Sequence, residues 1–143
     1  MKPKILLRVA AILMLLHTLG HTMGALGWKN APNDAIRGVI SGMQKNHFVF
    51  MGRSASLADF YEGYGLSMIG VLLLVSITLW LLSGDSNNPL SRKLQPLFAL
   101  FLLCLAIIEY VYFFPFAAAF TLLAGLCTGA AVGSAASYRE RSQ

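Results

Sequence analysis

The sequence predicts an all-α, polytopic membrane protein: a bundle of four transmembrane helices with a short interfacial helix in the first loop. Three observations carry this. The 143 residues are 57% hydrophobic and 12% charged, whereas about a quarter of the residues in soluble domains are charged. Mean hydropathy is +0.66. The apolar residues gather into four runs, at about 5–26, 58–82, 94–114 and 116–136, each close to the ~20 residues that cross a bilayer. Residues 1–143 therefore read as one membrane domain. The net charge of +5 is spread over the segment ends, which argues for topology and against a nucleic-acid surface.

The first run follows Lys2 and Lys4, a basic flank that also occurs in secretory signals. It continues through His17 to Leu26 with no small-x-small cleavage pattern, so it reads as a span. The loop at about 27–56 opens with Trp28, an aromatic anchor, and Asn30-Ala31-Pro32-Asn33-Asp34 has the composition of a helix start. Ile36, Val39, Ile40 and Met43 then recur at helical spacing beside polar Arg37, Ser41, Gln44 and Lys45, as in a helix lying at the interface or capping the bundle. Phe48, Phe50 and Met51 favour the apolar boundary, and His47 reads as a solvated loop residue. Ser56-Leu57-Ala58-Asp59 starts the second span, and Ser83-Gly84-Asp85-Ser86-Asn87-Asn88-Pro89 ends it. Pro115 separates the third span from the fourth. Cys104 and Cys127 sit within apolar runs, outside metal or redox spacings, and read as packing residues.

Lys2, Lys4, Arg8, Arg92, Lys93, Arg139 and Arg141 lie on one side of the membrane, and Lys29, Arg37, Lys45 and Arg53 on the other. The larger set marks the cytoplasmic side, so both termini are expected there and the long first loop outside.

The candidate site starts from His17-Thr18-Leu19-Gly20-His21-Thr22-Met23-Gly24. Histidines four residues apart lie about 40° apart around a helix, and ionisable groups within a span are functional candidates by default. Counting helix rise puts His17 near mid-membrane, His21 farther out with Glu109 of the third span roughly level with it, and Glu62 of the second span nearer the surface. A pocket in the outer half is expected, with Gly24, Asp59 and Tyr112 joining these four residues around a hydrophobic or amphiphilic small molecule. His17, His21, Glu62 and Glu109 are the candidates for proton transfer, although no reaction is specified and enzyme status stays open. A second reading has His17, His21 and Glu109 hold a divalent metal. A third has these groups pair with one another and join helices. A single haem does not suit two histidines on one helix face. On the fourth span Gly125, Gly129, Gly133 and Ser137 form a ridge of small residues. Internal packing is the preferred reading, and a homo-oligomer or accessory subunit of a membrane complex is the alternative.

The octet at 17–24, Trp28, Met43-Gln44 and Asp59-Phe60-Tyr61-Glu62-Gly63-Tyr64-Gly65 together resemble a family of small uncharacterised bacterial four-helix integral membrane proteins. The resemblance is strongest over residues 14–65, and it implies a bundle in the bacterial inner membrane without implying an activity. A looser likeness connects the arrangement to emopamil-binding-protein-type isomerases, whose helices present acidic and histidine side chains to a lipid-accessible cavity. No motif of that group matches residue by residue, so no catalytic role is transferred.

Overall fold

The computed structural model of the chain describes residues 2–86 and 88–140, and from residue 135 onward it describes the backbone alone. Five helices and one hairpin follow in order: α1 (Pro3–Gly27), α2 (Asp34–Lys45), β1 (His47–Phe50), β2 (Arg53–Ser56), α3 (Leu57–Gly84), α4 (Pro89–Tyr112) and α5 (Pro115–Glu140). Four of the helices, α1, α3, α4 and α5 over Pro115–Ser134, are long and apolar enough to cross a membrane. The chain is thus an all-α polytopic membrane protein. The third span begins at Pro89, earlier than the predicted 94, because the Asn88 side chain accepts the N–H of Leu90 at 2.9 Å and Pro89 fits the first helical turn. Of the residues named from sequence, Asn87 and Arg141 lie outside the described residues, as do the side chains of Ser137 and Arg139.

The chain divides into two compact units. The first takes the chain up to Thr18 and from Leu72 onward. Its core is built from stripes at helical spacing: Leu7, Ala10 and Met14 of α1, Leu72, Val75 and Leu79 of α3, Leu102 of α4, and Ala124 and Ala131 of α5. Ser76 donates to the Ala11 carbonyl at 2.8 Å, which ties α3 to α1. Helices α4 and α5 form an antiparallel hairpin with only Phe113 and Phe114 between them. A methyl group at Gly125 would come within 3.2 Å of Leu102 Cβ and 3.1 Å of Leu103 Cδ2, so the missing side chain is what lets α4 and α5 approach there. Gly129 and Gly133 instead lie exposed, so the glycine ridge is divided: its first member packs internally and the next two face outward.

The second unit is Leu19–Val71. The Asn33 side chain caps α2 by accepting the Ile36 N–H at 2.9 Å. No residue of α2 is buried, and the apolar residues Ile36 and Val39 are exposed. The hairpin corrects the sequence reading, which placed no strands in this loop. β1 and β2 pair antiparallel, with Phe50 opposite Arg53. Met51 (φ 50°) and Gly52 (φ 82°) close the two-residue turn, with positive φ at both positions as a type I′ turn requires. Phe48 and Phe50 project on one face of β1 and both contact Phe60 of α3, with ring centroids 6.0 and 5.8 Å apart.

Candidate functional site

Each residue of the candidate site continues a packed stripe. On α1 the buried series Leu7, Ala10, Met14 reaches His17; on α4 Gln95, Ala99, Leu102, Ala106 reaches Glu109; on α5 Ala117, Thr121, Ala124, Thr128 includes Thr121. Periodicity assigns all three positions to the core, and there the side chains meet. His17 is 6% and Glu109 7% exposed, and Thr121 is fully buried.

The imidazole of His17 stands between two partners. Its Nδ1 is 2.9 Å from the Thr121 hydroxyl, and its Nε2 is 3.7 Å from Glu109 Oε1. Between Nδ1 and the Thr121 hydroxyl either group can donate, according to the tautomer of His17. Nε2 then faces the carboxylate, either as a lone pair or as an N–H. At 3.7 Å the pair is longer than a closed charge-assisted hydrogen bond of about 2.8 Å, so a proton crosses only if the groups close up. Glu109 Oε2 is buried and has no hydrogen-bond partner among the described residues. An acceptor stripped of water and left without a donor is costly, and in a natural protein it needs an explanation.

The remaining predicted residues are distributed differently. In the second unit His21 Nε2 donates to the carbonyl of Gly65 at 3.1 Å, which makes it the hydrogen-carrying nitrogen. Gly65 has no side chain to cover that carbonyl, and a methyl group there would lie 3.3 Å from Ala25 Cβ. Glu62 pairs with Lys29 at 2.8 Å, both side chains about half exposed. Asp59 accepts the N–H and hydroxyl of Ser56 at 2.7 and 2.9 Å, which caps the first turn of α3. Tyr112 is 78% exposed; it is the last residue of α4, beyond the end of the packed stripe, and does not line the Glu109 side as expected. Gly24 is exposed, with no atom within 4 Å of where its side chain would begin.

Of the four residues expected to line one pocket, His17 and Glu109 meet within the first unit. A count of helix rises carries no information on tilt or axial offset. Among the described residues no three His, Cys, Asp or Glu side chains converge on a possible metal position. Thr121 was missed from the sequence. Its signal is faint: a threonine on the Ala117–Ala124 stripe, near the turn that also follows Glu109.

The arrangement gathers an imidazole, a carboxylate and a hydroxyl within the membrane-spanning part of the chain, with one carboxylate oxygen uncommitted among the described residues. Compared with protein-family models, curated proteins and solved structures, the chain matches none.

Proposed function

We propose that this protein binds a hydrophobic or amphiphilic small molecule within the membrane at His17 and Glu109, and that these two groups exchange a proton with it. The observation that carries this reading is Glu109 Oε2, buried beside an imidazole and lacking a donor. Intramembrane ionisable groups are costly and mark substrate or proton sites, and a ligand hydroxyl or amine at Oε2 would complete the carboxylate's hydrogen bonding. Thr121 holds His17 through Nδ1, leaving Nε2 as the nitrogen that reacts. The site lies in the outer half of a bacterial inner membrane with both termini cytoplasmic, a placement supported by the seven basic residues on one side against four on the other. A C-terminal reporter fusion active only on the outer face would reverse that orientation.

The test of the site is mass spectrometry and elemental analysis of gently purified protein, repeated on H17A, E109Q and H21A. A hydrophobic small molecule should accompany the parent and H21A and be depleted in H17A and E109Q. Equal content in all four proteins, or none in the parent, would overturn the reading.

A second reading has a specific observation behind it. Gly129 and Gly133 of α5 are exposed, and small residues on an outward face allow close contact with a helix of another chain. On that reading the protein is a homo-oligomer or an accessory subunit of a membrane complex. Stoichiometric co-purification of other chains, lost in G129L, supports it; a monomer unaffected by G129L removes it.

A further inference from the structure

We propose that the second unit carries a separate binding site for the headgroup of a zwitterionic, amine-bearing phospholipid, where the hairpin meets the start of α3. Two cavities occur there and Asp59 lines both. One, of about 220 Å³, has the polar walls Lys29, Gln44, His47 and Glu62. The other, of about 350 Å³, is lined by Phe50, Met51 and Phe60, with Arg53 as its cation. A polar compartment and an apolar one that share a lining carboxylate suit an amphiphile, with headgroup in the first and the beginning of a chain in the second.

The charges narrow the headgroup. Ser56 fixes the Asp59 carboxylate through Oδ2, and among the described residues no hydrogen bond engages Oδ1. A held carboxylate with one open oxygen suits a primary ammonium. The second carboxylate, Glu62, is already neutralised by Lys29. Arg53 forms no salt bridge within 4 Å among the described residues, although its charge is felt at Asp59, and a guanidinium matches phosphate in a bidentate fashion. Asp59 sits in the first turn of a membrane-spanning helix, the level at which headgroups lie. The hairpin tip beside it presents Val49, 78% exposed, and Met51, 93% exposed, an apolar edge suited to the lipid boundary. This site does not rest on the His17–Glu109 reading.

The experiment is native mass spectrometry of the purified full chain with equal concentrations of dihexanoyl phosphatidylethanolamine, phosphatidylcholine and phosphatidylglycerol, and separately with soluble phosphoethanolamine. The ethanolamine lipid should be retained about tenfold over the other two, one charge-assisted contact being worth roughly that factor. D59N, which keeps a capping side chain, should erase the preference. R53Q should lower retention of all three lipids, and R37Q, on exposed α2, should change nothing. Helix content by circular dichroism verifies that the variants fold. Equal retention of the three lipids, a preference that survives D59N in a folded protein, or phosphoethanolamine binding as well as the lipid would each overturn the proposal.

Discussion

Replacing His17 by leucine while Glu109 remains should destabilise the protein far more than replacing both. The two side chains are 6% and 7% exposed and their charged atoms lie 3.7 Å apart. At an effective dielectric of about 20, full charges at that separation attract by about 4.5 kcal/mol, against which the cost of removing both from water must be set. Removing one partner of such a pair costs about 3–5 kcal/mol, whereas substituting both with apolar residues of similar volume is close to neutral. H17L and E109L should each fall in that range, and H17L/E109L should recover most of the loss, a coupling of at least ~2 kcal/mol. T121V should cost less, about 1–2 kcal/mol, for the lost hydrogen bond to Nδ1. The assay is reversible unfolding of detergent-solubilised protein in a rising fraction of a denaturing detergent, followed by helical circular dichroism. If the double variant equals the sum of the singles within ~0.5 kcal/mol, the 3.7 Å approach is incidental and the proton-exchange reading loses its basis.

The same assay separates the glycines of α5. G125A should cost about 1–3 kcal/mol because its methyl would overlap Leu102 and Leu103, while G129A should be nearly silent in a monomer, since nothing lies within 4 Å of that position. A tolerated G125A would mean that α4 and α5 are farther apart than described. H21A should lose about 0.6–2 kcal/mol, the range for a hydrogen bond between membrane helices, and G65A should lose a comparable amount by pressing on Ala25 at 3.3 Å; a silent H21A would show that the carbonyl contact contributes nothing. G52A, at φ 82°, should weaken the hairpin by about 1 kcal/mol and M51N should strengthen it, read as the rate of proteolytic cleavage between residues 47 and 56. Equal rates in parent and G52A would argue against the turn.

The four spans were legible because a bilayer imposes a length and an apolar composition that few other structures share, and all four helices fall where the apolar runs do. The site was legible only in part, and the reason lies in what each partner offers to a sequence reader. His17 and Glu109 are ionisable groups in apolar runs and stand out. His21 stands out as strongly, yet its partner is the backbone carbonyl of Gly65, and a backbone acceptor uncovered by an absent side chain has no residue-type signature. Thr121 is polar but common in packed helices, so nothing distinguished it until His17 was found against it. The hairpin escaped because its strands are four residues long and its turn is Met51-Gly52 instead of the Asn-Gly that announces a type I′ turn. The alternation of Phe48 and Phe50 was present in the sequence, but their common target, Phe60, lies beyond the turn and in the next helix.

Angular position, more than depth, separates the ionisable residues into two kinds. His17 and Glu109 continue stripes that the core packing of α1 and α4 already requires, so neither could be an accident of a solvated edge: each occupies a place where leucine or alanine would pack at lower cost. Glu62 and Lys29 lie off any such stripe and pair with each other half exposed, an arrangement worth little to stability. A core position given to a charged group sacrifices apolar burial of about 1.5–3 kcal/mol as well as desolvation. In this chain that double cost falls on the carboxylate that, among the described residues, has a buried oxygen left without a donor. The loss is therefore concentrated where a bound molecule could offset it.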